Sequence, residues 1–283
     1  MAAAFAHITV PVDGSTTAAR GIAFALEFAR GGGSVTFCSV VDPTLACLPV
    51  GYGVAADPGP MLIVLDDDAT LFCRAAQAKA TGAGVASDTQ VLHGQCVQAI
   101  ESLVRQNGSQ AIVVGTHGRT GLARSLLGSV AEGLLRRCDI PVVVVHEGDV
   151  TRMGPIAVAF DESPAAHAAL GTAIAIGAAR GIPIALIHIS GAPTAVDSGR
   201  VDALMAGAAK RAAAQGVNAE VVVRNGRAPE TLLAAADELD CSMIVMGTHG
   251  RPFVERLMLG SVAAYVVQHA RIPVVTVRRA TSS

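Results

Sequence analysis

VVGTHGRTGLARSLLGSV, Val113–Val130, is the stretch from which the fold can be read. A short apolar run stops at Gly115-Thr116-His117-Gly118, and Gly128-Ser129 later opens an amphipathic run. The arrangement returns as VMGTHGRPFVERLMLGSV, Val245–Val262, with Gly247, Gly250, Gly260 and Ser261. Between 111–145 and 243–277, 18 of 35 positions are identical without a gap, which establishes an internal duplication.

A glycine where a strand stops lets the chain turn and lets a ligand approach the main chain. Ser129 stands where a helix should begin, and Glu132 three residues on completes a capping-box pattern. The opening turn of a helix carries unpaired N–H groups and the positive end of the dipole, which suits a phosphate. This is not a Walker loop, because no lysine follows the second glycine. The only lysines, Lys79 and Lys210, lie far from both motifs. A phosphate here would be held by backbone and hydroxyls, with Arg119 or Arg251 as help. The competing reading is a turn and a helix cap with no ligand, and duplication explains part of the agreement between the copies.

Outward from the motif, HITVPV (His7–Val12) reads as a strand ending at Asp13-Gly14-Ser15. Ser15 or Thr16 caps a helix over 17–29 with Ile22, Leu26 and Ala29 on one face. Val35–Val41 is an apolar strand of the buried parallel type. Residues 42–68 are rich in proline and glycine and read as irregular. The pattern predicts a helix over 69–81 with Leu71, Ala75 and Ala78 facing inward, a strand at 89–92 and a helix over 97–106. Ala111–Val114 and Val142–Val145 complete five strands. The second half repeats the order, with strands at 156–160, 184–189, 219–223, 243–246 and 274–277. Ser163-Pro164 starts its first helix. The result is α/β: two tandem doubly wound domains with five-stranded parallel sheets, expected over 1–148 and 149–283. The loops after the first and fourth strands flank the topological switch point, where such sheets bind ligands. Asp13 and Asp161, at the ends of the first strands, can accept hydrogen bonds from a ligand or organise the next helix.

Composition excludes several classes. The chain has 283 residues and a net charge of −2, with 3% aromatics and no Trp, poor material for a nucleic-acid groove. The cysteines Cys38, Cys47, Cys73, Cys96, Cys138 and Cys241 form no C-x-x-C pair and read as reduced structural thiols. No stretch is apolar enough over sufficient length to span a bilayer. These features point to a cytoplasmic chain without a membrane or nucleic-acid partner and without a structural metal. His117 and His249 lack partners at ligand spacing and read as loop residues. Asp66-Asp67-Asp68 reads as a solvated helix start rather than a metal clamp.

The pattern G-x2-G-x9-G-[S/T], present in both halves, resembles the signature of ATP-binding members of the universal stress protein family. The resemblance covers nearly the whole chain as two tandem copies. It implies a Rossmann-like adenine-nucleotide-binding fold and ATP as ligand, with Mg as its possible companion. It places Pro11, Val12, Asp13 and Val41 beside the adenosine, and counts Val114, Gly115, Gly118, Arg119, Gly128, Ser129 and Val130 among the nucleotide-binding residues. In the second half the counterparts are Phe160, Asp161, Ile189, Met246, Gly247, Gly250, Arg251, Gly260, Ser261 and Val262. It also implies that the last strands of the two halves pair within the chain as a pseudo-dimer, with a homodimer of whole chains open. The leading expectation is an ATP-binding stress regulator. A slow ATPase or phosphotransferase ranks lower, since no general base or metal-binding carboxylate pair is evident. A nucleotide-independent interaction module is the third reading. The first half is expected to bind better, on Arg119-Thr120-Gly121 and the Glu132 capping box.

Overall fold

The computed structural model describes residues 3–46, 59–116, 127–146, 153–191, 195–248 and 259–278, with backbone alone at 45–46 and 195–198. The first half runs β1 (His7–Pro11), α1 (Thr16–Ala29), β2 (Ser34–Val41), the single turn α2 (Pro43–Ala46), α3 (Gly59–Gly82), β3 (Ala86–His93), α4 (Cys96–Asn107), β4 (Ala111–Gly115), α5 (Ser129–Arg137) and β5 (Val142–Val145). The second runs β6 (Ile156–Ala159), α6 (Pro164–Arg180), β7 (Ile184–Ser190), α7 (Ala195–Ala213), β8 (Ala219–Asn225), α8 (Ala228–Glu238), β9 (Met243–Gly247), α9 (Ser261–His269) and β10 (Val274–Val277).

All the strands among the described residues lie in one sheet, in the order β3-β2-β1-β4-β5-β10-β9-β6-β7-β8. Pairing is parallel within each half. The halves meet at the antiparallel pair β5–β10, with Val143 opposite Val275. The expected pairing of the last strands is therefore present, and it merges two sheets into one. Val142–Val145 and Val274–Val277 are buried throughout, as strands covered on both faces must be. Removing one such valine from water stabilises the fold by about 1.5 kcal/mol or more.

Helices cover both faces. α1, α3, α6 and α7 build one core, with Phe24, Phe28, Leu170, Ile174 and Met205. α4, α5, α8 and α9 build the other, with Ile100, Leu103, Leu134 and Val266. Small residues allow close approach: a Cβ on Gly177 would stand 2.7 Å from the Ile182 carbonyl oxygen. Across the junction between halves, Arg180 of α6 reaches α1. It donates to the Glu27 carboxylate at 2.7 Å and to the Glu27 carbonyl at 2.8 Å, and its guanidinium covers the Phe28 ring.

α3 corrects the sequence reading twice. The helix starts at Gly59, so part of the stretch expected to be irregular is helical, and Asp66–Asp68 lie within it rather than at its start. Its buried residues are Ala69, Cys73, Ala76 and Ala80, whereas Leu71, Ala75 and Ala78 are exposed. The inner face is built of small residues because α3 packs tightly on β2 and β3; the Cys73 thiol lies 3.6 Å from the Gln90 carbonyl oxygen. In dilute solution, Leu71→Ala should change unfolding free energy by less than about 0.5 kcal/mol, whereas Ala76→Leu should cost about 1–3 kcal/mol by overpacking. Urea denaturation of the two variants tests the assignment.

Candidate functional site

β1 and β4 are adjacent and parallel. α1 leaves β1 over one face of the sheet and α5 leaves β4 over the other, so a crevice opens between the strands' carboxyl ends. β6 and β9 repeat this arrangement.

On the β1 side, Asp13 Oδ1 accepts a hydrogen bond from Ser15 N at 3.0 Å, with Gly14 between them at φ +80°. Ser15 Oγ then accepts from Ala18 N and caps α1. In the second half Asp161 accepts from Ser163 N at 3.1 Å, and Ser163 caps α6. Glu162 holds the position of Gly14 at φ 69°, a conformation that costs a residue with a Cβ about 1–2 kcal/mol. Each aspartate thus shapes the turn at the crevice mouth. Beside them the chain is bonded to the next strand, Val12 N to Cys38 O at 2.8 Å and Phe160 N to Ile187 O at 2.9 Å. Val12 and Phe160 are buried and Pro11 is half-buried.

On the β4 side, Val114 and Met246 are buried. Gly115 lacks the positive φ that the turn reading allowed for. Its missing side chain has another cause: a Cβ there would stand 2.6 Å from Thr17 Oγ1 and 2.9 Å from the Thr17 main chain. At Gly247 a Cβ would stand 2.7 Å from the Ala165 Cβ. These glycines let the start of α1 or α6 close against the strand end.

Beyond Gly115, Thr116 N donates to Val145 O at 3.1 Å, and Gly128 N donates back to Thr116 O at 2.7 Å. Thr248 N to Val277 O and Gly260 N to Thr248 O repeat the closure at 3.0 and 2.9 Å. The residues flanking 117–126 and 249–258 are thus bonded to each other, and the helix that follows starts beside the strand end. Gly118, Arg119, Gly250 and Arg251 lie outside the described residues, as do His117, Arg124, His249 and Arg256.

The expected capping box is absent. Gly128 takes the extended cap conformation, φ −64° and ψ 146°, so Ser129 is already helical and no side chain caps α5. Glu132 pairs with Arg136 one turn on, at 2.5 Å. Gly260 and Ser261 behave identically, with no side-chain cap on α9. The N–H groups of Ser129, Val130 and Ala131, and of Ser261, Val262 and Ala263, have no acceptor among the described residues. Ser129 and Ser261 are not buried. α4 and α8 also start without a side-chain cap, but away from the switch point.

Val41, buried at the end of β2, accepts from Gly94 N at 3.0 Å. In the second half Gly226 N bonds to Ser190 O at 3.1 Å, so Ser190 rather than Ile189 is the counterpart of Val41. A one-residue slip places the side chain on the opposite face. Thr116, Thr248 and Thr17 were also missed as site builders, although the repeated Gly-Thr-His-Gly carried a signal for the first two. A cleft of about 380 Å³ beside His93, Gly94, Gln98 and Ser102 lies at the sheet edge, two strands from the switch point.

α5 is held by α4. Glu101 accepts from Arg105 at 2.8 Å and from Arg137 at 3.0 Å. Burial alone would raise its carboxyl pKa, but the hydrogen bonds and charges of the two arginines outweigh that and hold it below the ordinary 4.5. Among the described residues no group of three His, Cys, Asp or Glu could hold a metal ion, and no helix is long and apolar enough to cross a membrane.

The universal stress protein family matches residues 4–146 and again 153–278. The chain belongs to that family. This universal stress protein is similar to one from Mycobacterium tuberculosis, 29% identical over 189 residues, which cover 61% of this chain and 63% of that one. The chain thus aligns with less than two-thirds of that relative's length. It is also 28% identical to a universal stress protein of Mycolicibacterium smegmatis, with 96% of both chains covered. The crystal structure of a universal stress protein from Archaeoglobus fulgidus has the same fold, at a TM-score of 0.76 and 22% identity over 99% of this chain and 98% of that one.

Gly115→Ala should destabilise the protein by about 1–3 kcal/mol without any ligand present, read by denaturant unfolding. Glu101→Gln removes an ionised group whose pKa is depressed by folding. The wild type's advantage over that variant should be constant above the ordinary 4.5 and shrink as pH falls through the lower folded-state value. Unfolding curves across this range test it.

Proposed function

We propose that this universal stress protein binds ATP at both switch-point crevices and acts in the cytoplasm as a nucleotide-dependent regulator of the stress response. The observation that carries this reading is the doubled, uncapped helix start. Three consecutive main-chain donors on α5, and three on α9, stand beside a strand end to which the preceding glycine is bonded. Such donors, with the helix dipole behind them, suit phosphate oxygens without a lysine.

In this reading Gly128, Ser129 and Val130, with Gly118 and Arg119 of the intervening loop, hold the phosphates. Gly260, Ser261, Val262, Gly250 and Arg251 do so in the second half. Pro11, Val12, Asp13, Val41 and Val114 border the nucleoside, as do Phe160, Asp161, Met246 and, in place of Ile189, Ser190. Gly115 and Gly247 act by letting α1 and α6 approach. Mg would arrive with the triphosphate rather than in a protein cage. An ATPase or phosphotransferase ranks below binding, because the carboxylates assigned to the crevices, Asp13 and Asp161, are engaged in their own turns with Ser15 N and Ser163 N. The tight contact of Gly115 with Thr17 favours one further reading, in which the glycines serve architecture and the module works without nucleotide.

The expectation that the first half binds better rested partly on a capping box at Glu132, and that carboxylate pairs with Arg136 instead. The two sites are therefore tested separately. Purified protein, denatured, should release adenine nucleotide, and calorimetric titration of the stripped protein should show two ATP sites. Gly128→Val and Gly260→Val should each remove one site, and the double variant both, with circular dichroism unchanged. If no nucleotide is retained and no ATP binds, the proposal fails and the architectural reading stands.

A further inference from the structure

The outward face of α3 is apolar. Val64 and Leu71 are 54% and 60% exposed, Ala75 and Ala78 are exposed beside them, and Met61 and Ile63, at 51% and 64%, flank the stripe. The spacing 64, 71, 75, 78 follows one side of a helix, opposite the buried Ala69, Cys73, Ala76 and Ala80. An exposed stripe of this kind on a soluble chain marks an interaction surface.

We propose that this face of α3 pairs two copies of the chain through an antiparallel, two-fold symmetric helix contact centred on Leu71. The reading is independent of nucleotide binding. Charge complementarity names the occupant. Asp67 and Arg74 are both exposed, and neither has an ion-pair partner among the described residues. At 3.6 residues per turn they lie on the same flank of Leu71, roughly 40° and 60° from it. A two-fold axis across an antiparallel helix pair keeps that flank facing its own copy and inverts height along the helix. With Leu71 on the axis, Asp67 of one copy falls opposite Arg74 of the other, twice, and Val64 falls opposite Ala78. A surface that matches itself in this way is what an isologous dimer requires.

The duplication supplies an internal control. α7 occupies the equivalent place in the second half, yet Asp202, Ala203, Ala206, Gly207, Lys210 and Arg211 are among its exposed residues. No described residue of α7 is an exposed large hydrophobic. The fold therefore does not demand the stripe on α3. A single helix pair buries less than the ~1,200 Å² of a stable interface, so the association should be weak and concentration-dependent.

Sedimentation velocity of the whole chain, over about a hundred-fold range of concentration, tests the proposal. A monomer–dimer equilibrium is expected, and Leu71→Glu should abolish it. Asp67→Arg and Arg74→Asp should each weaken dimerisation about ten-fold or more, because each replaces two ion pairs with two like-charge contacts. The double reversal should restore the wild-type equilibrium, which a merely damaged surface would not do. All these positions lie on the exposed side of α3, so thermal unfolding midpoints should stay near wild type. A monomer at every concentration would overturn the proposal. So would a dimer indifferent to Leu71→Glu, or one that the double reversal fails to restore.

Discussion

A strand that is hidden on both faces needs helices above and below it, and that constraint organises the whole molecule. A right-handed crossover can carry the chain in only one direction along the sheet on a given face. To cover the second face the chain must return to the middle and step out the other way. It does so between β1 and β4, and again between β6 and β9. The crevices are the unavoidable gaps left where α1 and α5, or α6 and α9, part company. What the sequence adds is modest: an aspartate turn on one side, a glycine thin enough for the helix to close in, and a main-chain bond that draws the next helix start to the rim.

The same economy shows in the polar groups. α1 and α6 open with a serine whose hydroxyl takes up one donor of the first turn, Ala18 N or Ala166 N. α5 and α9 open with a glycine that cannot. One serine set and one glycine set, each present twice, divide the helix starts around each crevice into a closed one and an open one. The open one is anchored from behind by packing and by the Glu101 clamp in the first half, which fixes the helix that carries its donors.

Much of this architecture was legible in the residues. Buried parallel strands read as uninterrupted apolar runs, and the repeat at 111–145 and 243–277 settled the domain count without reference to packing. The errors came where two readings had equal claim. In α3 both sides are apolar, and hydropathy favours the larger Leu71 over Cys73 and Ala76, but a helix lying close on a sheet selects for smallness. Ser129 has the chemistry of a cap, yet the preceding glycine takes the cap conformation and moves the helix boundary by one residue. Ser190 was missed because an apolar strand can slide by one position without changing its look. Gly115 was read as freedom of the backbone, whereas Thr17, distant in sequence, is what excludes a side chain there.

The antiparallel seam between β5 and β10 has a directional consequence. Every strand of one half points its carboxyl end opposite to those of the other half. The two crevices therefore lie at the ends of oppositely running strands, four strand steps apart in one twisted sheet. The described links from one half to the other include the valine-rich seam and Arg180, which grips Glu27 beside it.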